Sequence, residues 1–172
     1  TGALIRKKAL PIRPYLFGGG QENGWRSGTE NVFGVKTLEY AAEKKFSSLE
    51  ADYKRLASYR ESLWSALDPG IFVRISPKDG TPYILTVSAR GLRGEILLHL
   101  ADDRGLIIGT GSACSSNEKS RYSHVVLACG YDKITADGVL RLSFSPATTK
   151  EETERAAQIL NACARELLER TK

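Results

Sequence analysis

The stretch GLIIGTGSACSSNE, residues 105–118, joins a short apolar run to a segment of small and polar residues. The apolar run, LIIG, is typical of a buried strand, whereas the residues after it favour a loop. Cys114 is therefore expected just past the end of a strand. Cysteine usually packs inside a protein like a small hydrophobic residue, so its presence on a loop suggests a chemical role.

The sequence on both sides of this stretch predicts an alternation of strands and helices. Before it, IFVRIS and YILTVSA are expected to be strands around a turn at PKDGTP, followed by a helix in RGEILLHLADDRG that Gly105 ends. After it, SHVVLACG predicts a short helix, GVLRLSFS a strand, and residues 148–170 a closing helix capped by a threonine. Strands with helices on one side predict an α/β fold, arranged as an α+β sandwich.

A long helix is expected from about Val32 to Leu67, where apolar residues recur at helical spacing. The stretch GGGQENGWRSGTEN, residues 18–31, is rich in glycine and lacks periodicity, which indicates a loop. Residues 3–7, ALIRK, are typical of a short strand, and the proline-containing residues 10–17 of an edge strand or a loop.

The composition limits the classes of function. The chain has 172 residues, of which 41% are hydrophobic and 26% charged, as in ordinary globular domains. Its apolar runs are too short to cross a membrane, and its net charge of +5 is scattered, so neither a membrane nor direct nucleic-acid binding is expected. Three widely spaced cysteines disfavour a disulfide framework and a metal site, and reduced thiols indicate a cytoplasmic protein.

Two stretches in their order along the chain, GGGQENGWRSGTEN and GTGSACSSNEKSRYSHVVLACG, resemble the group I cysteine desulfurases. These are pyridoxal-phosphate enzymes of the class V aminotransferase superfamily, with fold type I. The resemblance implies that residues 1–31 are the tail of the large cofactor-binding domain, with a strand and the glycine-rich loop. It implies that 32–67 form a connecting helix and 68–172 the small C-terminal α/β domain. The pyridoxal lysine would lie upstream, so the chain is expected to be a fragment that is inactive alone.

The resemblance also implies roles for three residues. Cys114 would take sulfur from L-cysteine as a persulfide, with Gly109 and Gly111 giving its loop mobility. Arg141 would bind the carboxylate of the substrate, although a strand arginine in a salt bridge fits the sequence too. Thr29 would bind the phosphate of the cofactor held by the other subunit of a homodimer, although it could equally cap the long helix.

The other two cysteines and the two histidines are expected to have structural roles. Cys129 and Cys163 are expected to face the core, and His99 and His124 to serve in packing or capping. Phe17 and Pro146 stand where the family often has histidine and arginine, which leaves the subtype open.

The sulfur acceptor would be an iron–sulfur scaffold or a tRNA-thiolation relay. The alternatives are another class V enzyme, such as a selenocysteine lyase or an aminotransferase, and a non-catalytic interaction domain.

Overall fold

A computed structural model describes residues 1–111 and 122–170 of the chain. The chain divides into two compact units, Thr1–Leu49 and Glu50–Lys172, and the boundary falls within one long helix. This helix, α1, spans Val32–Ala66, as the apolar spacing predicted.

The first unit is irregular up to the start of α1, apart from a 3-10 turn at Gln21–Gly24. The strand expected at residues 3–7 is not formed, so that expectation was wrong. Ile5 is 96% exposed, and no strand pairs with the segment. Instead, Arg6 Nη1 donates to the carbonyl oxygens of Lys7, Lys8 and Leu10, which bends the segment into a turn. The Arg6 guanidinium also lies 4.3 Å from the centre of the Trp25 ring.

The second unit contains a four-stranded antiparallel sheet in the order β1-β2-β4-β3. The strands are β1 (Phe72–Arg74), β2 (Ile84–Ala89), β3 (Gly109–Thr110) and β4 (Val139–Ser143). The helices are α2 (Gly94–Asp102), α3 (His124–Ala128), α4 (Lys133–Asp137) and α5 (Lys150–Arg170). The mixed helix and strand architecture agrees with the α/β class predicted from the sequence.

One face of the sheet packs against the helices to form the core. Leu85 and Leu140 on neighbouring strands are fully buried, together with Leu56 of α1, Leu97 of α2 and Leu160 of α5. Burying one such leucine contributes about 1.5–3 kcal/mol to folding. The core therefore fixes the position of β4, whose opposite face is available for a functional group.

Local signals place the ends of several helices as expected. Thr149 Oγ1 accepts a hydrogen bond from the Glu152 backbone, and the Glu152 carboxylate accepts one from Thr149 N, so that α5 begins with a capping box. Gly105 and Gly130 follow α2 and α3 with φ angles of +78° and +87°, which favour glycine. The sequence did not predict α4, whose start is capped by the Asp132 side chain as it accepts a hydrogen bond from Thr135 N.

The strand predicted in LIIG is much shorter than expected. Only Gly109 and Thr110 pair with β4, whereas residues 106–108 are not in a strand. A cavity of about 420 Å³ is lined by Leu106–Ile108, by Leu142–Phe144 and by residues of α5. Residues 106–108 therefore do not pair with β4, and the pairing begins at Gly109.

Candidate functional site

Arg141 lies at the middle of β4 and projects from the sheet face opposite the core. Leu140 and Leu142, its neighbours along the strand, point into the core, and side chains alternate between the two faces. The register places Thr86 of β2 directly opposite Arg141 on one side and Gly109 of β3 on the other. A guanidinium group is thus held between two strands near the centre of a rigid sheet.

The Arg141 guanidinium leans toward β3. A Cβ atom built onto Gly109 would lie 3.2 Å from Nη2, 3.6 Å from Nε and 3.7 Å from Cζ of Arg141. The guanidinium therefore occupies the space that a side chain at position 109 would take. The sequence analysis placed Gly109 at the end of the LIIG strand and expected it to give the next loop mobility, and the structure places it in β3.

The sheet face that carries Arg141 is covered at one end and open at the other. Val139 is buried near α4, where Ser88 Oγ donates to the Thr135 carbonyl at 2.7 Å. Ser143, at the far end of β4, is exposed. Arg141 is half-buried between them, so its guanidinium is partly accessible to solvent. The arrangement suits a guanidinium that binds an anion from solution.

Cys114 lies outside the residues that the structure describes. The described chain approaches its segment from two elements of the second unit. Before the segment, β3 pairs with β4, and Gly111 is the last described residue. After it, Ser123 caps α3 by accepting a hydrogen bond from Val126 N at 3.4 Å. The cysteine segment is thus connected directly to the strand that lies beside Arg141.

The other two cysteines differ from each other. Cys163 in α5 is fully buried, as predicted, and Arg104 Nη1 lies 3.1 Å from its sulfur. Burial raises the pKa of the Cys163 thiol, and the Arg104 guanidinium offsets part of that effect. Cys129 is the C-cap residue that follows Ala128 at the end of α3, and it is exposed, so the expectation that it faces the core was wrong. The helix is only one turn long, and the small cluster around Val126 does not include Cys129.

Thr29 lies in the first unit, shortly before α1, and is exposed. The sequence was also compatible with Thr29 as the N-cap of this helix. The structure assigns the cap to Asn31, whose Oδ1 accepts a hydrogen bond from Gly34 N at 2.9 Å. No hydrogen bond from the Thr29 hydroxyl to another described residue is recorded, and the first turn of α1 contains no acidic residue.

The remaining residues singled out in the sequence are at the surface. His99 in α2 and His124 in α3 are exposed. Phe17 is exposed, and so is Pro146, whose carbonyl oxygen accepts a hydrogen bond from Arg55 Nη2 at 2.7 Å. Arg55 Nη1 also donates to the Thr148 carbonyl, so α1 holds the loop between β4 and α5 in place.

Sequence reasoning missed two arrangements. The contact between Gly109 and Arg141 depends on the register of β3 and β4, which no local pattern reveals. A second cluster joins α1 to β1: Arg74 donates two hydrogen bonds to the Glu61 carboxylate, and this lowers the pKa of Glu61 to about 2. Beside them, Arg60 is nearly buried and donates to the carbonyl oxygens of Lys78, Gly80 and Thr81.

Within residues 1–111 and 122–170, no three His, Cys, Asp or Glu residues are grouped so that they could hold a metal ion. In the same residues, none of the helices has the length and apolar character needed to cross a membrane.

A known protein family and several known proteins are similar to this chain in sequence. The family described as "Aminotransferase class-V" matches residues 1–156. A cysteine desulfurase of Sinorhizobium fredii is 32% identical over 172 aligned residues, which cover 98% of this chain and 44% of that protein. The cysteine desulfurase IscS of Methanosarcina thermophila is 34% identical over 92% of this chain and 40% of its own length. The chain thus spans about two fifths of these relatives.

A solved structure supports the same relationship. A NifS-like protein superimposes on 94% of this chain with a TM-score of 0.78 and 32% sequence identity. This chain covers 40% of that protein. The similarity therefore includes both the sequence and the arrangement of helices and strands.

Proposed function

Because this chain belongs to the aminotransferase class-V family, we propose that it is the C-terminal part of a pyridoxal-phosphate-dependent cysteine desulfurase. The observation that carries the proposal is the position of Arg141 on the exposed sheet face, directly opposite the strand that continues into the Cys114 segment. The group that would bind the carboxylate thus lies on the strand that pairs with β3, and the chain runs from β3 into the segment that contains the sulfur nucleophile. The names of the relatives reported above support the same reaction.

In this proposal Cys114 is the sulfur acceptor. Its thiolate attacks the sulfur atom of L-cysteine, and a sulfur–sulfur bond forms while the carbon–sulfur bond of the substrate breaks. The electron pair of the broken bond stays with the carbon skeleton, which takes up a proton and leaves as L-alanine. Cys114 retains the transferred sulfur as a persulfide. Cys163 is unsuited to this role because it is fully buried and its thiol pKa is raised.

Two other residues would bind the reactants. The planar guanidinium of Arg141 can bind the substrate carboxylate through two parallel hydrogen bonds. Thr29 has an exposed hydroxyl near the start of α1, and we assign it to the phosphate of the cofactor bound by the other subunit of a homodimer. When bound, pyridoxal phosphate supplies an electron sink for bond cleavage at the substrate.

The persulfide would pass to a sulfur-acceptor protein, either an iron–sulfur scaffold or a tRNA-thiolation relay. We place the enzyme in the cytoplasm, because an odd number of widely spaced cysteines fits a reducing compartment better than a disulfide framework. The chain alone is expected to be inactive, because the lysine that binds the cofactor would lie in the other part of the enzyme.

The proposal is tested by removing one thiol at a time from the full-length enzyme. Cys114→Ala is expected to abolish alanine formation from L-cysteine while leaving L-cysteine binding unchanged, because the thiolate acts only in sulfur transfer. Cys129→Ala is the matched control, since this thiol is also exposed but belongs to α3. Full activity of Cys114→Ala, or loss of activity in Cys129→Ala alone, would show that Cys114 is not the acceptor.

A further inference from the structure

We infer that Gly109 positions Arg141, and that the absence of a side chain at residue 109 is required for tight binding of the substrate carboxylate. This inference rests on the proposed function, in which Arg141 binds that carboxylate. Gly109 does not touch the substrate in this account. Because Gly109 has no side chain, it leaves space for the Arg141 guanidinium.

The first support is steric. A methyl group on Gly109 would lie 3.2 Å from Arg141 Nη2, closer than normal van der Waals contact between carbon and nitrogen. Backbone atoms of β3 are fixed by pairing with β4, so the guanidinium, at the end of a long side chain, would have to move. The expected shift is a few tenths of an ångström, and it is larger for a branched side chain.

The second support is the backbone conformation. Glycine is often needed because the chain adopts a positive φ angle, as at Gly105, Gly111 and Gly130. Gly109 is not among the residues with positive φ. It lies in a regular antiparallel pair with Arg141, where any residue could adopt the backbone angles. The need for glycine at this position is therefore a need for space.

The third support is the asymmetry of the two strands beside Arg141. Directly opposite residues on one sheet face have Cβ atoms about 4.5–5.5 Å apart, so each neighbour of Arg141 limits where its side chain can go. On β2 the neighbour is Thr86, which has a branched side chain, and on β3 it is Gly109. The guanidinium lies over Gly109 of β3, and β3 is the strand that leads to the Cys114 segment.

The test uses the full-length enzyme and two ligands that differ only in the carboxylate. L-Alanine carries this group, and ethylamine is the same molecule without it. Their affinities are measured from the change in cofactor absorbance for the Gly109→Ala, Gly109→Val and Arg141→Lys variants. Thr110→Ser is the matched control, because it changes the neighbouring residue of β3, which faces the other side of the sheet.

Gly109→Ala is expected to weaken L-alanine binding about three- to tenfold, since small displacements of a positioning group are costly, and Gly109→Val is expected to weaken it more. Ethylamine affinity should stay within about twofold of the unchanged enzyme, and the KM for L-cysteine should rise with little change in kcat. Thr110→Ser should behave like the unchanged enzyme with both ligands.

Three results would overturn the inference, and they are distinguishable. Equal weakening of L-alanine and ethylamine would show general damage rather than a displaced guanidinium. Unchanged L-alanine binding in both Gly109 variants, with a loss in Arg141→Lys, would remove the role of Gly109 and leave the proposed function intact. Unchanged L-alanine binding in Arg141→Lys would remove the carboxylate role of Arg141, and with it both the inference and that part of the proposed function.

Discussion

At the scale of single residues, the environments of the described cysteines predict different reactivities. Cys163 is fully buried in α5 beside Arg104, and burial raises its thiol pKa. Cys129 is exposed at the end of α3. Alkylating reagents attack the thiolate and need access to it, so both access and ionisation disfavour reaction at Cys163.

We expect iodoacetamide to modify Cys129 in the folded protein, and Cys163 only after the protein is unfolded in urea. Peptide mass spectrometry of samples quenched at increasing times measures both rates in one experiment. Modification of Cys163 as fast as Cys129 under native conditions would contradict the packing of α5 against the core. The expected result also qualifies Cys129→Ala as the control for Cys114→Ala, since it shows that the Cys129 thiol is accessible to reagents in the folded protein.

At the scale of elements, Glu61 joins α1 to β1. Both oxygens of its carboxylate accept hydrogen bonds from Arg74, at 2.7 Å and 2.8 Å, and Arg60 donates to it as well. The Arg74 hydrogen bonds lower the pKa of Glu61 to about 2 from an ordinary value of 4.5. A carboxylate with a lower pKa in the folded state stabilises the fold above its unfolded pKa, and that contribution is lost as the pH falls through the folded pKa.

Glu61→Gln should therefore lower the free energy of unfolding at pH 7 by about 1 kcal/mol, a figure reduced because the carboxylate is partly exposed to solvent. The difference from the unchanged protein should shrink as the pH falls from about 4.5 to about 2. Urea denaturation at several pH values measures it. Glu50→Gln is the control, because Glu50 forms an exposed ion pair with Lys54 within α1. A pH-independent deficit in Glu61→Gln would contradict the ion-pair account.

The elements that the sequence predicted well are those with a strong local pattern. The helical spacing of Leu56 and Leu63 predicted α1, and the threonine before α5 predicted where α5 begins. Errors arose where partners distant in sequence decide the outcome. Residues 3–7 have strand-forming side chains but no strand to pair with, and LIIG pairs with β4 only at its last residue.

The candidate site was predictable to a similar extent. The motifs pointed to Arg141 and Thr29, but only the structure shows that Asn31, and not Thr29, caps α1. The contact between Arg141 and Gly109 could not be predicted, because it depends on the register between two strands that are far apart in the chain. In sequence, Gly109 resembles an ordinary loop glycine.

At the scale of the whole molecule, the two units differ in how much they bury. The second unit contains a continuous core, whereas none of residues 1–49 is buried. Exposed apolar side chains in the first unit include Leu4, Ile5, Tyr15, Phe17 and Phe33. In the proposed enzyme, residues 1–31 of this unit would belong to the large domain, and Thr29 would serve the neighbouring subunit.

Thr29→Ala should weaken cofactor binding about ten- to a hundredfold, the equivalent of one hydrogen bond to a charged group. The defect should lie in the subunit that is not mutated. Mixing the full-length Thr29→Ala chain with a chain that lacks its pyridoxal lysine should therefore restore activity at limiting cofactor. The working site has its lysine from the first chain and its threonine from the second.

Subunit exchange is confirmed with tagged chains, and each variant alone serves as the control. If Thr29 acted within its own subunit, the site that retains its lysine would remain defective, and mixing would restore nothing. That result would remove the intersubunit role of Thr29 from the proposed function without affecting Cys114 or Arg141.

The central claim is that Cys114 carries sulfur taken from L-cysteine, and isotope labelling tests it most directly. The full-length enzyme is incubated with L-cysteine labelled with a heavy sulfur isotope, alkylated without reductant, digested and analysed by mass spectrometry. We predict that the peptide containing Cys114 gains one heavy sulfur atom, that the addition disappears after treatment with reductant, and that the peptides of Cys129 and Cys163 gain none. Heavy sulfur on Cys129 or Cys163 instead, or on no cysteine while alanine is formed, would contradict the account.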